Sequence, residues 1–135
     1  MPQRRRRSDC PIHFALETFG DRWTLLVLRD LLLKGRSSYS EFLRAEERIA
    51  TNILADRLAR LQEDGLVVHG ADGRYRPTAK ALDLLPLLVE MIVWSATYDA
   101  DTATSAAFTE RAREDREALV AELRAAHAPA EDPMR

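Results

Sequence analysis

Residues 36–77, RSSYSEFLRAEERIATNILADRLARLQEDGLVVHGADGRYRP, read as one continuous unit: helix, short turn, second helix, strand pair. Ser38 or Ser40 opens the first helix, with Tyr39, Phe42 and Leu43 on its inner face, and Glu46, Glu47 and Arg48 make the turn. The second helix runs from about Ala50 to Glu63. Ile49, Ile53, Leu54, Leu58 and Leu61 recur at three- and four-residue steps, so one stripe of it is buried. Asp64-Gly65 ends that helix. Leu66, Val67, Val68 and His69 then read as a strand, Gly70 to Gly73 as a turn, and Arg74, Tyr75 and Arg76 as the return strand. Two glycines and an aspartate within four residues are a strong hairpin signal.

That order implies a mainly α fold with a small β-hairpin wing, a winged helix-turn-helix, whose second helix enters the major groove of double-stranded DNA. The outward face of this helix shows Thr51, Asn52, Ala55, Asp56, Ala59 and Arg60, with Arg57 at its flank. Small and hydrogen-bonding side chains there let the backbone approach base edges, and asparagine can pair bidentately with adenine. Thr51, Asn52 and Asp56 are therefore expected to face bases. Arg36, Ser38, Ser40, Arg57 and Arg60 are expected to fix register through phosphates, and Arg74 to do so from the wing. Glu46 and Glu47 read as solvated turn charge, and His69 as an exposed strand residue.

At 135 residues and 46% hydrophobic, the chain has enough apolar material for one domain with a helical appendage. The net charge of −2 conceals an asymmetry. Residues 1–80 hold 15 Lys/Arg against 11 Asp/Glu, whereas residues 81–135 hold 5 against 11. The basic half contains the helix-turn-helix, as phosphate binding needs, and the acidic half should face away from DNA. The apolar runs are short or broken by charge, and no long apolar stretch follows the arginines at positions 4–7. Neither a membrane partner nor a secretory signal is expected, and the location follows as cytoplasmic. A single cysteine excludes an internal disulfide and a cysteine-based zinc site. His13, His69 and His127 share no metal spacing, and neither a phosphate loop nor a nucleophile elbow is present. No cofactor and no catalysis are expected. The rival reading, a winged helix used for protein–protein contact, would call for an acidic or apolar recognition face. Asp56 leans that way; Arg57, Arg60 and Arg74 lean the other.

The flanks extend the picture. Residues 1–9 form a basic flexible arm suited to phosphates or a minor groove. Pro11 fits the first turn of a helix carrying Ile12, Ala15, Leu16 and Phe19, and Gly20 interrupts it. Asp21 caps a second helix through Trp23, Leu25, Leu26, Leu28 and Leu31, which Lys34-Gly35 closes. Thr78 caps a long helix to Tyr98 with Pro86 as a kink point; it is apolar on more than one face, which implies a homodimer interface. Residues 10–98 thus form the DNA-binding and dimerisation domain. Residues 99–127 are a C-terminal helical extension, with one helix over 106–126, and residues 128–135 a disordered tail.

Two inputs suggest themselves. Cys10 follows four arginines and an aspartate and precedes a helix N-terminus; the cations and the helix dipole favour a reactive thiolate and make it the redox-sensing candidate, the alternative being a small semi-buried residue that merely packs. With no second cysteine, an intersubunit bridge, a mixed disulfide or an adduct is what remains open to it. Alternatively, Phe14, Phe19, Trp23, Met91, Trp94 and Tyr98 line an effector pocket for a small molecule at the dimer interface. As plain core and interface aromatics they would need no ligand.

Cys10-Pro11 followed by Gly20-Asp21-Arg22-Trp23-Thr24 resembles the start of the HxlR-type bacterial winged-helix regulators, which carry Cys-Pro and then Gly-x-[Lys/Arg]-Trp-[Thr/Ser]. Tyr39-Ser40-Glu41-Phe42 is similar to their Phe-x-Glu-Leu helix. Ile53-Leu54, Arg57-Leu58 and Leu61-x-x-Asp64-Gly65-Leu66-Val67 match their recognition helix and its exit. Pro77-Thr78 with Lys80, and Trp94, resemble their Leu-Thr segment and terminal-helix tryptophan. The likeness covers about residues 10–98. The wing looks shorter than is usual, Ala81 stands where a glycine is common, and residues 106–126 extend past the usual end. The resemblance implies a homodimer joined through its N- and C-terminal helices on a pseudo-palindromic operator, acting as repressor or activator.

Overall fold

The computed structural model describes residues 7–131. Arg4, Arg5 and Arg6 of the expected arm, and residues 132–135 of the expected tail, lie outside the described residues. The element order is α1 (Pro11–Phe19), α2 (Arg22–Leu33), α3 (Tyr39–Leu43), α4 (Thr51–Glu63), β1 (Val67–His69), β2 (Tyr75–Pro77), α5 (Ala79–Leu82), α6 (Leu85–Tyr98), α7 (Ala106–Glu114) and α8 (Arg116–Ala125).

Local chemistry explains most boundaries. Asp21 caps α2, accepting from the Thr24 amide at 3.1 Å and the Thr24 hydroxyl at 2.5 Å. Gly35 follows that helix at φ 70°, a left-handed exit glycine takes without penalty. Of the two serines expected to open α3, Ser38 is the cap. Its Oγ accepts from the Glu41 amide at 3.3 Å and donates to Glu41 Oε1 at 2.8 Å. β1 and β2 pair antiparallel, Val67 with Pro77, Val68 with Arg76 and His69 with Tyr75. His69 is exposed and stacks on the Tyr75 ring with centroids 4.0 Å apart. The Tyr75 amide also donates to the Ser37 carbonyl at 2.7 Å, which pins the hairpin to the segment entering α3.

The winged-helix core is built where α2, α3, α4 and the hairpin meet. Leu28, Phe42, Leu54, Leu58, Leu61 and Leu66 are fully buried there. The period-3.6 stripe read from the sequence of α4 is the stripe that packs on α2 and β1. Thr78 locks the exit of the wing, donating to the Gly65 carbonyl at 2.6 Å.

Two expected helices are each divided. The helix expected over 79–98 breaks at Asp83-Leu84 into α5 and α6. Pro86 sits at the start of α6, where its missing N–H costs nothing; within a continuous helix it would forfeit a bond to Leu82 and press on that carbonyl. By length and composition Ala79–Tyr98 is apolar enough to cross a membrane, against expectation (mean hydropathy 1.4). It is broken in two, however, and Leu82, Leu85 and Leu88 pack with Leu32 of α2 and with Val120 and Leu123 of α8. The helix expected over 106–126 breaks at Asp115, which ends α7 and caps α8 by accepting from the Ala118 amide at 3.2 Å. Aspartate competes with helical hydrogen bonding in this way, and the competition wins here.

The extension folds back on its own chain. Ala112 and Leu119 pack with Val89 and Val93 of α6. Arg116 pairs with Glu90, Arg124 with Asp83 at 2.9 Å, and a His127 ring nitrogen bonds the Leu32 carbonyl at 2.9 Å. The segment after α8, expected to be frayed, is partly docked: the Ala130 amide donates to the Pro77 carbonyl at 2.9 Å.

Candidate nucleic-acid interface

α4 presents Thr51, Asn52, Ala55, Asp56 and Ala59 to solvent, with Leu54, Leu58 and Leu61 buried on the other side. Positions 52, 55, 56 and 59 share one face by helical spacing, and none of them is bulky. The residue before the helix, Ala50, supplies no side-chain cap, so the first amides of α4 are left open toward that end. Tyr39 fixes the angle of the two helices, its hydroxyl donating to the Thr51 carbonyl at 2.7 Å. Arg48 takes the left-handed conformation at φ 55° in the turn that delivers the chain into α4.

The expected phosphate contacts fall into three groups. Ser38, Ser40 and Arg74 lie together around Glu41. The Arg74 guanidinium donates to Ser37 Oγ at 2.5 Å and to Glu41 Oε1 at 2.9 Å, while the Ser38 and Ser40 hydroxyls are 3.3 Å apart. Hydrogen bonds from Ser38 and Arg74 hold the Glu41 carboxyl below its usual range. Arg57 and Arg60 gather around Asp56, at 2.5 Å and 3.8 Å. Arg57 Nε also donates to Asp21 at 3.0 Å, which ties α4 to the cap of α2. Burial pushes Asp21 up, but the hydrogen bonds from Thr24 and Arg57 outweigh it and hold its carboxyl at about 2. Arg36 lies in the third group, away from these, with its guanidinium on Asp30 at 2.8 Å.

That third group is what sequence reasoning missed. Asp30 is buried in the apolar helix α2, with its carboxylate held between Arg29 and Arg36. Arg29 also takes Glu47 in a two-pronged pair at 2.7 Å and 2.9 Å. Glu47 is thus exposed in the turn but paired, and the hydrogen bond from Arg29 holds it at about 2. The network ties α2 to the turn before α4. Its only sequence sign is an aspartate inside an otherwise apolar helical stripe. The sequence also marks Arg48 only as a turn residue and does not single out Arg44. Both are exposed beside that turn, and neither has an ion pair among the described residues.

Cys10 is exposed at the N-terminal boundary of α1. The six aromatic and methionine side chains of the expected effector pocket do not converge within one chain. Phe19 and Trp23 pack on the winged-helix core, while Phe14, Met91, Trp94 and Tyr98 are exposed, the last two with rings 5.4 Å apart. A cleft of about 10 Å³ lined by Trp23, Asp30, Phe42 and Glu47 has room for a water and not for an organic ligand. Among the described residues no three His, Cys, Asp or Glu side chains cluster as a metal site would require.

Comparison with known proteins agrees with this geometry. Residues 18–103, more than half of the chain, match the model of the HxlR-like helix-turn-helix family. A protein of Fusobacterium mortiferum named as the regulatory protein MalR is 26% identical over 98 residues, covering 68% of this chain and 92% of that one. A Synechocystis protein named as an HTH-type transcriptional regulator is 28% identical over 88 residues, covering 61% of this chain and 64% of that one. No solved structure matches significantly. With the helix-turn-helix, its hairpin wing and the family match in agreement, the chain belongs to the HxlR-like helix-turn-helix family.

Proposed function

We propose that this protein regulates transcription in the cytoplasm by binding a pseudo-palindromic operator as a homodimer, most simply as a repressor that occludes its site. The observation that carries the reading is the exposed face of α4, with Thr51, Asn52 and Asp56 among small neighbours beside an uncapped helix start. Asn52 and Thr51 read base edges, and Asp56 accepts from a base amino group or orients Arg60. Ser40, Arg60 and Arg74 set register on phosphates, with Arg44 and Arg48 added to them. Arg36, Ser38 and Arg57 add to these contacts and also hold the elements in place, through Asp30, Glu41 and Asp21.

Dimerisation uses the faces that one chain leaves uncovered. Ile12, Phe14 and Leu16 on α1 are exposed, as are Leu87, Met91, Trp94 and Tyr98 on α6. The α6 residues recur at steps of four, three and four, the seam of a helix that meets another helix. Paired subunits would set the two α4 helices roughly 34 Å apart, one DNA turn. The input is thiol chemistry at Cys10 or a small ligand among the aromatics of this face.

The test is a fluorescence-anisotropy titration against DNA from just upstream of the protein's own gene, at two salt concentrations, with mixed-sequence competitor. Tight, salt-dependent binding that survives competitor supports the reading; weak binding erased equally by any DNA contradicts it. Diamide-driven release that Cys10→Ser abolishes assigns the input to the thiol, and release that persists in Cys10→Ser removes that assignment.

A further inference from the structure

The wing arginine is not a free cation in the unbound chain. Arg74 folds back from the hairpin turn onto α3, where Ser37 and the Glu41 carboxylate take its guanidinium. The Tyr75 amide on the Ser37 carbonyl holds the two sides of this clamp together. The carboxylate thus offers Arg74 what a DNA phosphate would offer, an oxygen anion at hydrogen-bond distance. Arg57 on Asp21 and Arg76 on Asp72 repeat the arrangement elsewhere in the same winged helix.

Building on the DNA-binding reading above, we propose that Glu41 is a specificity-determining residue that acts through Arg74: it keeps the wing arginine on the protein, so that DNA of the wrong sequence gains little from it. Phosphate contacts are blind to sequence, and each free cation raises affinity for every duplex. A cation already paired adds less, because handing it to a phosphate leaves a carboxylate unpaired beside the DNA. Both partners retain solvent exposure, 52% for Arg74 and 31% for Glu41. Such a pair is weak and screened, so it yields to a phosphate brought close by a duplex that α4 has already seated. Glu41 then widens the gap between operator and random DNA while adding no base contact of its own.

Glu41→Gln tests this, because glutamine keeps the reciprocal cap with Ser38 and so keeps α3. Binding to a mixed-sequence duplex is measured by anisotropy across a salt series, for wild type, Glu41→Gln, Arg74→Ala and the double variant. Glu41→Gln is expected to bind several-fold tighter, with a log–log salt slope steeper by about 0.9, the signature of one added phosphate contact. In the Arg74→Ala background the same change is expected to do almost nothing. An equal gain with and without Arg74 would show that Glu41 is only a repelling charge, and no gain at all would remove its role; either overturns the proposal. Wild type that binds no duplex even at low salt would instead overturn the DNA-binding reading on which it rests.

Discussion

At position 52 the first exposed turn of α4 carries an asparagine, a side chain able to accept and donate at once to an adenine edge. Asn52→Ala should cost about 1–3 kcal/mol at the preferred site and little on mixed-sequence DNA. Equal losses on both, measured by competition titration, would take Asn52 off the list of base contacts. Arg60→Ala should weaken both kinds of binding and lower the salt slope by about 0.9; an unchanged slope would show that Arg60 touches no phosphate. The carboxylates set an acid limit on the fold. Asp21 and Glu47 are held at about 2, against ordinary values of 3.8 and 4.5. A carboxyl depressed in the folded state contributes stability that is fully present above its unfolded value and is lost as pH falls through the folded one. Stability should therefore fall between about pH 4.5 and pH 2. Chemical denaturation at a series of pH values should show a shallower acid limb in Asp21→Asn, which retains a capping side chain. An unchanged limb would mean that the hydrogen bonds from Thr24 and Arg57 to the Asp21 carboxylate add nothing that acid removes. Which arginine meets which carboxylate was not legible in the sequence, because Arg29 and Glu47, or Arg74 and Glu41, are brought together only by tertiary packing.

Among the elements, α4 and the hairpin were legible and the long helices were not. The stripe of Leu54, Leu58 and Leu61 has a single periodicity, and Gly70 to Gly73 a single turn chemistry, so local and global preferences agree there. In 79–98 and 106–126 the apolar pattern runs through the breaks. What divides each expected helix is one residue, Pro86 or Asp115, whose effect depends on whether neighbours can take up the freed backbone groups. α8 makes the extension a structural part of the domain rather than a loose appendage, since Leu119 is buried against α6. Leu58→Ala, at the centre of the winged-helix core, should cost about 2–5 kcal/mol in a denaturant titration. A loss below 1 kcal/mol would indicate that α4 is not anchored by its buried stripe.

For the whole molecule, the uncovered faces matter most. Trp94 and Tyr98 are 62% and 75% exposed, a large apolar outlay for a chain that stays single. Met91→Glu combined with Trp94→Glu should shift sedimentation to the monomer and weaken operator binding, with little change in the melting of the single chain. A wild-type monomer at micromolar concentration would contradict the dimer. The acidic C-terminal half includes α6 to α8, which stack on one another. Whether α4 reads a specific sequence is measured most directly by selection of bound sites from a random-duplex pool, with wild type and Asn52→Ala side by side. An enriched, inverted-repeat motif with half-sites about one helical turn apart is expected, with loss of preference at one position per half-site in the variant. A pool that shows no enriched motif, or a motif that Asn52→Ala leaves unchanged, would contradict it.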